Sequence, residues 1–455
     1  MENLRVLILA AGKSTRMKSK YAKVLHRVGG RTLIEHVLQA ARSVSADIWI
    51  VVGHTADKVK ALIAEAKFVA QKEQLGTGHA VMAAREPFAG YAGDVLVLPG
   101  DVPLVSAGTL EAFIKFHRDG GYDSSVLTAD VDNPSGYGRM VRRNDSEVDS
   151  IVEHRDATPE ILKIPEINSG IYVFNASALF ESLTRIRNEN AQREYYLTDV
   201  IGIQVGHRQK VGAFKVSSAE EILGINTRQE LAAMDRLMRR RKRESLMADG
   251  VTIIDPESTF IDADVQIGAD SIIYPSVQIY GPTVIGDDVT IHSFSRISNS
   301  KIGARSTVLE GCIVDDSTVG EEVVLGPFAR LRMDTFIADT VRIGNFVEIK
   351  KSTLGAGTKA QHLAYLGDAT IGKKVNIGAG VITCNYDGEK KHPTVIEDGA
   401  FVGTDSQLIA PVSIGKNAYV AAGSSVTDDV PAESLAIARG RQVNKEGWVN
   451  SRKKK

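Results

Sequence analysis

The chain has 455 residues, enough for two or three domains that each bury a core of their own. Its 55 Lys and Arg balance 56 Asp and Glu to a formal net charge of −1, which gives no reason to expect nucleic acid as a partner. Two cysteines, Cys312 and Cys384, are too few for a disulfide framework or a Cys-rich zinc site and suit a reducing cytoplasm.

Residues 4–9 form an apolar run broken only by Arg5, the pattern of a strand buried on both faces of a parallel sheet. The run is too short to span a membrane and reads as a core strand, not a signal peptide. It leads into Ala10-Ala11-Gly12-Lys13-Ser14-Thr15-Arg16. A P-loop needs a glycine five positions before Gly12, and Leu7 stands there. What remains is a loop of small residues beside Lys13, Thr15 and Arg16, at the strand end where open α/β sheets bind ligands. Such a loop suits an anion, a phosphate first of all.

Strands are predicted at 48–52, around Val69, at 95–98 and at 125–129. Helical spacing is predicted at 33–41, 56–64, 78–85 and 109–117. The alternation gives an α/β domain with a mostly parallel sheet, residues 1–228. Asp101 follows the strand at 95–98, where a carboxylate could take a hard divalent cation such as Mg²⁺. Leu231, Met234, Leu237 and Met238 then recur at helical spacing. The basic run from Arg239 to Arg243 that follows reads as the solvated side of a linker helix, residues 229–249.

From Val251 an aliphatic residue followed by glycine recurs, as at Ile267-Gly268, Ile285-Gly286, Ile302-Gly303, Ile343-Gly344 and Ile414-Gly415. The intervals are mostly 17 or 18 residues, or six. This is the hexapeptide repeat of a parallel β-helix: six residues per short strand, an aliphatic residue inward, and a glycine that lets the chain turn the corner. The β-helix is expected over residues 250–455, with Lys453, Lys454 and Lys455 as a frayed tail. Extra residues between Gly378 and Val402 predict a loop leaving the prism, a common carrier of function. Of the three histidines in this half, His292, His362 and His392, His362 lies off the repeat among polar residues, so an inward role is not expected for it.

The stretches LAAGKSTRM, KVLH, QLGTGHA, GDVPL, GYGR, IVEHRDA and EINSGIY, with GPFARLR, GNFVEIKKS, HLAYLGDA, NIGAGVITCNYDG and KEGW, run through the whole chain. Together they resemble the bacterial family of bifunctional N-acetylglucosamine-1-phosphate uridyltransferases/glucosamine-1-phosphate N-acetyltransferases. That resemblance implies acetyl transfer from acetyl-CoA to glucosamine-1-phosphate, then uridylyl transfer from UTP to N-acetylglucosamine-1-phosphate. It further implies a Rossmann-like nucleotide-binding fold for the first domain, a left-handed coil and a homotrimer. To this the charge, the cysteine count and the short first apolar run add a cytoplasmic protein with no nucleic-acid or membrane partner.

The resemblance places Leu9, Ala10, Ala11, Gly12, Lys23, Gln71, Gly76, Thr77, Pro99 and Gly100 around the nucleotide. Arg16 falls where a cation holds the triphosphate. Gly138, Glu153 and Asn168 receive the N-acetylglucosamine moiety, and Asp101 and Asn226 bind Mg²⁺. In the second half it makes His362 the general base that an attacking amine requires. Arg332 and Lys350 grip the sugar phosphate, Tyr365 and Asn376 the sugar. Ala379, Asn385, Tyr386, Thr404, Ala422 and Arg439 line the acetyl-CoA groove. Three positions depart from the family pattern: Ser14 for a usual glycine, Ala22 for a usual proline, and Pro99 for a usually aromatic or small residue. A pyrophosphorylase whose β-helix only oligomerises is the alternative, but it would not require Arg332, Lys350, His362 or Tyr365. A zinc hydratase would need three clustered histidines, and His292 and His362 stand several coils apart.

Overall fold

A computed structural model describes residues 2–12, 15–53, 56–63, 65–144 and 147–452. Lys13, Ser14, the side chain of Thr15 and the lysine tail, all singled out above, lie outside the described residues. The chain divides into two compact units, Met1–Met238 and Arg239–Lys455.

The first unit opens with β1 (Leu4–Ala10), a short hairpin of β2 (Arg27–Val28) and β3 (Arg31–Thr32), and helix α1 (Leu33–Val44). Thr32 starts α1 with a capping box: its side chain accepts from the Glu35 amide while the Glu35 carboxylate accepts from the Thr32 amide at 2.7 Å. Then come β4 (Ile48–Val52), α2 (Ala56–Leu62), β5 (Lys67–Ala70), α3 (Thr77–Met82), β6 (Asp94–Pro99) and α4 (Ala107–Asp119). Beyond them the helix–strand alternation expected from the sequence stops. The strands β7 (Ser124–Asp130), β8 (Arg139–Arg142), β9 (Val148–Val152) and β10 (Glu166–Asn175) follow one another before α5 (Ala176–Ser182), α6 (Asp199–Gly206) and β11 (Val211–Lys215).

The sheet runs in the order β11-β7-β10-β6-β1-β4-β5. Pairings β1–β4, β1–β6, β4–β5 and β7–β11 are parallel, whereas β10 lies antiparallel between β6 and β7. Strand order reverses between β1 and β6, where Leu9 pairs with Pro99 and the Gly100 amide donates to the Leu9 carbonyl at 2.9 Å. That switch point is where such a sheet offers a crevice.

Helix α7 (Arg228–Ala248) contributes Met234 to the core of the first unit beside Val28, Leu33, Leu104 and Ile225. Its basic run is not simply a solvated face. Within the second unit Arg243 is 6 % exposed and donates to the Thr259 carbonyl at 3.2 Å, and Arg239 pairs with Asp262 at 3.0 Å. Folding thus uses two charges of the run as structural counter-ions and donors.

The remainder of the second unit is a parallel β-helix with three faces. Among the described residues the first face holds 11 strands, from Thr252–Ile253 to Leu435–Ala436. A second face holds 10, from Phe260–Ile261 to Ser425–Val426, and a third 9, from Gln266–Ile267 to Val412–Ile414. One aliphatic column runs up the inside, with Ile261, Ile279, Ile297, Val314, Leu331, Ile349 and Leu366 stacked from the second face.

Most of the repeat glycines serve a purpose other than the expected corner. A Cβ on Gly286 would stand 2.7 Å from the Ala304 amide nitrogen, and one on Gly403 would stand 2.5 Å from that of Ala422. The next coil comes too close for any side chain there. The left-handed corners mostly fall at other positions, on residues with side chains such as Phe294, Phe328, Phe346 and Leu363 and on glycines such as Gly311, Gly380 and Gly423, while the repeat glycine Gly326 takes that conformation itself at φ +96°. Between the strands Ile382–Cys384 and Thr394–Ile396 the expected loop leaves the prism, pinned by an antiparallel bridge between Tyr386 and Lys391.

Candidate functional site

In the first unit a cavity of about 540 Å³ opens at the switch point. Leu9, Ala10, Ala11, Gly12, Arg16, Lys23, Gln71, Gly76, Thr77, Pro99, Asp101, Glu153, Asn168 and Asn226 all line it. Gly100 and Gly138 stand behind the wall: Gly100 is bonded to Leu9, and the Gly138 carbonyl accepts from the Asn168 amide at 2.9 Å. A bulge in β10 between Asn168 and Tyr172, with Gly170 at φ +79°, interrupts the ladder where Asn168 meets the cavity.

Cationic and oxygen-bearing groups meet at one end. The Lys23 ammonium contacts Asp101 Oδ2 closely and donates to Asn226 Oδ1 at 3.0 Å, while Arg16 donates to the same Asn226 oxygen at 2.7 Å. At another part of the wall Glu153 accepts from the Thr198 hydroxyl at 3.2 Å. Burial pushes its carboxyl above the usual range, the Thr198 bond opposing this and the charges of Asp199 and Asp156 adding to it. Asp199, at the start of α6, is pushed up to about 6 by burial and by Asp156. A carboxyl held this way, with acceptor capacity to spare, suits the hydroxyls and amide of a sugar.

Several wall residues were not found from the sequence: Ala22, Val24, Gln74, Ala80, Tyr172, Glu194, Leu197 and Thr198. Those from 194–198 arrive because the chain is laced to the loop before α3. The Tyr195 amide donates to Leu75, the Gly78 amide to Tyr195 and the Leu197 amide to the Thr77 hydroxyl, at 2.8, 2.8 and 3.0 Å. No spacing signals a contact across more than a hundred residues.

The second unit carries two groups of the expected residues. On the second face Arg332 is in register with Lys350, and Lys350 with Gly367. Arg332 donates to Glu348 at 2.7 Å, and Asn385 to Asp368 at 2.5 Å. A Cβ on Gly367 would lie 2.5 Å from the Tyr365 hydroxyl and 2.8 Å from Asn385 Nδ2, so both side chains lean over that glycine. Lys350 is 8 % exposed, and its pKa is lowered by the neighbouring Lys391 ammonium and by burial. Two ammonium groups and a guanidinium in one place make an anion site.

The other group follows the corner between the first and second faces. Leu363 bonds to Asn345, Gly380 to Leu363, Asp405 to Ala379 and Gly423 to Thr404, backbone to backbone at 3.0, 2.9, 2.7 and 2.8 Å. His362, Ala379, Thr404 and Ala422 therefore climb one edge coil by coil, and Arg439 donates to the Ala422 carbonyl at 2.7 Å. His362 is exposed, and its Nδ1 lies 3.1 Å from Asn345 Oδ1. With that oxygen as acceptor the imidazole carries its proton on Nδ1 and keeps Nε2 as the basic nitrogen. Tyr386 is exposed on the projecting loop. Asn376 is not brought to the Arg332–Tyr365 cluster: it stands on the first face, in register with Lys359 and Phe401.

Comparison with known proteins agrees with this division. Residues 6–198 match a MobA-like NTP transferase domain, residues 246–353 a GMPPB C-terminal domain and residues 393–428 six bacterial transferase hexapeptide repeats. The bifunctional protein GlmU of Pelobacter propionicus is 49 % identical, with 100 % of each chain covered. Those of Shouchella clausii and Listeria monocytogenes are each 48 % identical, over 97 % and 99 % of this chain and 98 % of each relative. The chain belongs to the bifunctional GlmU family. Like other GlmU chains it joins a nucleotidyltransferase to an acyltransferase, on an α/β domain and a left-handed hexapeptide β-helix. The reading of the β-helix as a scaffold alone is not favoured. Among the described residues no helix is long and apolar enough to cross a membrane.

Proposed function

We propose that the chain makes UDP-N-acetylglucosamine in two steps at two separate sites, as a cytoplasmic homotrimer. The observation that carries this reading is the clustering of two chemically different sets of residues in two places: phosphate-handling groups in a cavity, and a histidine with an anion site on the prism.

In the first reaction acetyl-CoA acylates glucosamine-1-phosphate. His362 Nε2 takes a proton from the amine as it attacks the thioester carbonyl, and the C–S bond breaks to release coenzyme A, whose sulfur takes up that proton. Arg332 and Lys350 hold the sugar phosphate, with Lys391 beside them, and Tyr365 the sugar. Ala379, Asn385, Tyr386, Thr404, Ala422 and Arg439 take the acetyl-CoA.

In the second reaction an oxygen of N-acetylglucosamine-1-phosphate attacks the α-phosphorus of UTP and pyrophosphate leaves. The nucleophile is already anionic, so the work is positioning and charge neutralisation. Arg16 and Lys23 supply cations, and Glu153 and Asn168 hold the sugar. The donor set fits Mg²⁺, since Asp101 and Asn226 each turn an oxygen toward one cation, the Lys23 ammonium. Among the described residues no three His, Cys, Asp or Glu side chains gather as a metal site, so the ion would rest on these two and on substrate phosphates. When bound, Mg²⁺ would neutralise charge on the triphosphate.

The uridyltransferase half is residues 1–228 and the acetyltransferase half 250–455, joined by the helix over 229–249. Purified protein given glucosamine-1-phosphate, acetyl-CoA, UTP and Mg²⁺ should yield UDP-N-acetylglucosamine by mass, and omission of any one should prevent it. Product without acetyl-CoA would overturn the order of steps.

A further inference from the structure

Gln71 lies at the carboxyl end of β5, is 4 % exposed and lines the cavity beside Leu9, Ala11 and Gly12. A side-chain amide has two ends of opposite hydrogen-bonding sense, and a half-turn exchanges them. Here both protons of Nε2 have acceptors: the Gly76 carbonyl at 3.2 Å and His79 Nδ1 at 3.1 Å. A backbone carbonyl can only accept, so the amide nitrogen must face Gly76. His79 Nδ1 then accepts as well, with its ring proton on Nε2. Gln71 Oε1 accepts no hydrogen bond from the described residues. It is left as an oriented acceptor at the wall of the cavity.

His79 is itself fixed. It sits in α3, whose start is laced to the 194–197 segment, and its ring lies 6.3 Å from that of Tyr195. Gly76, at φ +110°, has no room for a side chain, because a Cβ would meet the Tyr195 carbonyl at 2.5 Å. Both acceptors that anchor Gln71 therefore belong to one immobile turn.

We propose that His79 is a positioning residue for base selection: by holding the Gln71 amide nitrogen it turns the amide oxygen to the nucleobase, and so favours uracil over cytosine. This rests on the reading of the cavity as a UTP site. Uracil offers an N3–H donor at the point where cytosine offers a lone pair. An amide oxygen satisfies the first and opposes the second. Without His79 the Gly76 carbonyl, at 3.2 Å, is the one acceptor left on that nitrogen, and an amide held by a single long bond turns more readily and discriminates less.

The test compares His79→Asn with His79→Leu. The two side chains have nearly the same shape, but Asn keeps an acceptor at the position of Nδ1 and Leu has none. Uridylyl transfer is measured with UTP and with CTP. The wild type and His79→Asn should share one UTP/CTP ratio of kcat/KM. In His79→Leu that ratio should fall roughly tenfold or more, through a raised KM for UTP with kcat within a few-fold. Gln71→Leu should lower the ratio at least as far. An unchanged ratio in His79→Leu, or equal losses in the Asn and Leu variants, would overturn the proposal. A wild type indifferent to UTP and CTP would instead overturn the reading of the cavity.

Discussion

The two units build their sites in opposite ways. In the α/β unit the cavity collects residues from as far apart as Leu9 and Asn226, brought together where strand order reverses, and it closes around them within one chain. In the β-helix the residues lie on the outside of a regular prism, near one another because coils stack. His362, Tyr386, Thr404, Ala422 and Arg439 are all exposed. A cavity can be complete in one copy of the chain. An outer edge needs a second surface to become a pocket, and the thin aliphatic column of a prism favours association with copies of itself.

The sharpest way to break this contrast is to disable each site alone. Asp101→Ala should lower uridylyl transfer at least about a thousandfold and leave acetyl transfer near its original rate. His362→Ala should lower acetyl transfer by about two to four orders of magnitude with uridylyl transfer intact. Separate initial-rate assays check both, and a variant that lost both activities would show the sites to be coupled. Dilution is gentler. If the outer edge is completed by a neighbouring subunit, specific acetyl-transfer activity should fall severalfold once light scattering reports monomers, while specific uridylyl-transfer activity stays constant.

A smaller effect concerns the buried carboxyls of the cavity. Burial and the Asp156 charge push the Asp199 carboxyl up to about 6, above its ordinary 3.8. A carboxyl raised on folding contributes stability that is complete below its unfolded pKa and lost as pH rises through the folded one. Asp199→Asn should therefore match the wild type in thermal unfolding near pH 4 and exceed it by pH 7. The gap should open between about pH 4 and 6 and reach about 1 kcal/mol after solvent screening at this partly exposed site. The smallest expected change is at Ala22, where the family pattern has proline. Its φ of −58° and ψ of 142° already suit proline, so Ala22→Pro should raise unfolding stability by about 0.4–1 kcal/mol.

Legibility also divided along the two units. Every coil of the β-helix repeats the same local demand, so its strands, its inward residues and its one large loop could be read from the period. The repeat glycines were read correctly as positions but, Gly326 apart, wrongly as corners, because the approach of the next coil is not a property of one turn. In the α/β unit β1, β4, β6 and β7 stood out by their apolar runs. The antiparallel insertion of β10 did not, since strand direction is set by partners distant in sequence. The site residues came from resemblance more than from pattern. Asp101 had a strand end to mark it, whereas Glu194, Leu197 and Thr198 had nothing local to announce that they meet Gly76, Thr77 and Glu153.

The stacked corner has a metric consequence. Each coil advances the chain along the prism by the spacing of neighbouring strands, about 4.8 Å. Passing from His362 through Ala379 and Thr404 to Ala422, where the Arg439 guanidinium donates at 2.7 Å, takes three such steps, roughly 14 Å by that spacing. The edge is thus a ruler with a base at one mark and a guanidinium at another. On the proposed assignment it gauges the cofactor, because a thioester at His362 reaches Arg439 with a phosphate only if the arm between them is long and fully extended. An acetyl donor with a shorter arm would engage one mark and miss the other.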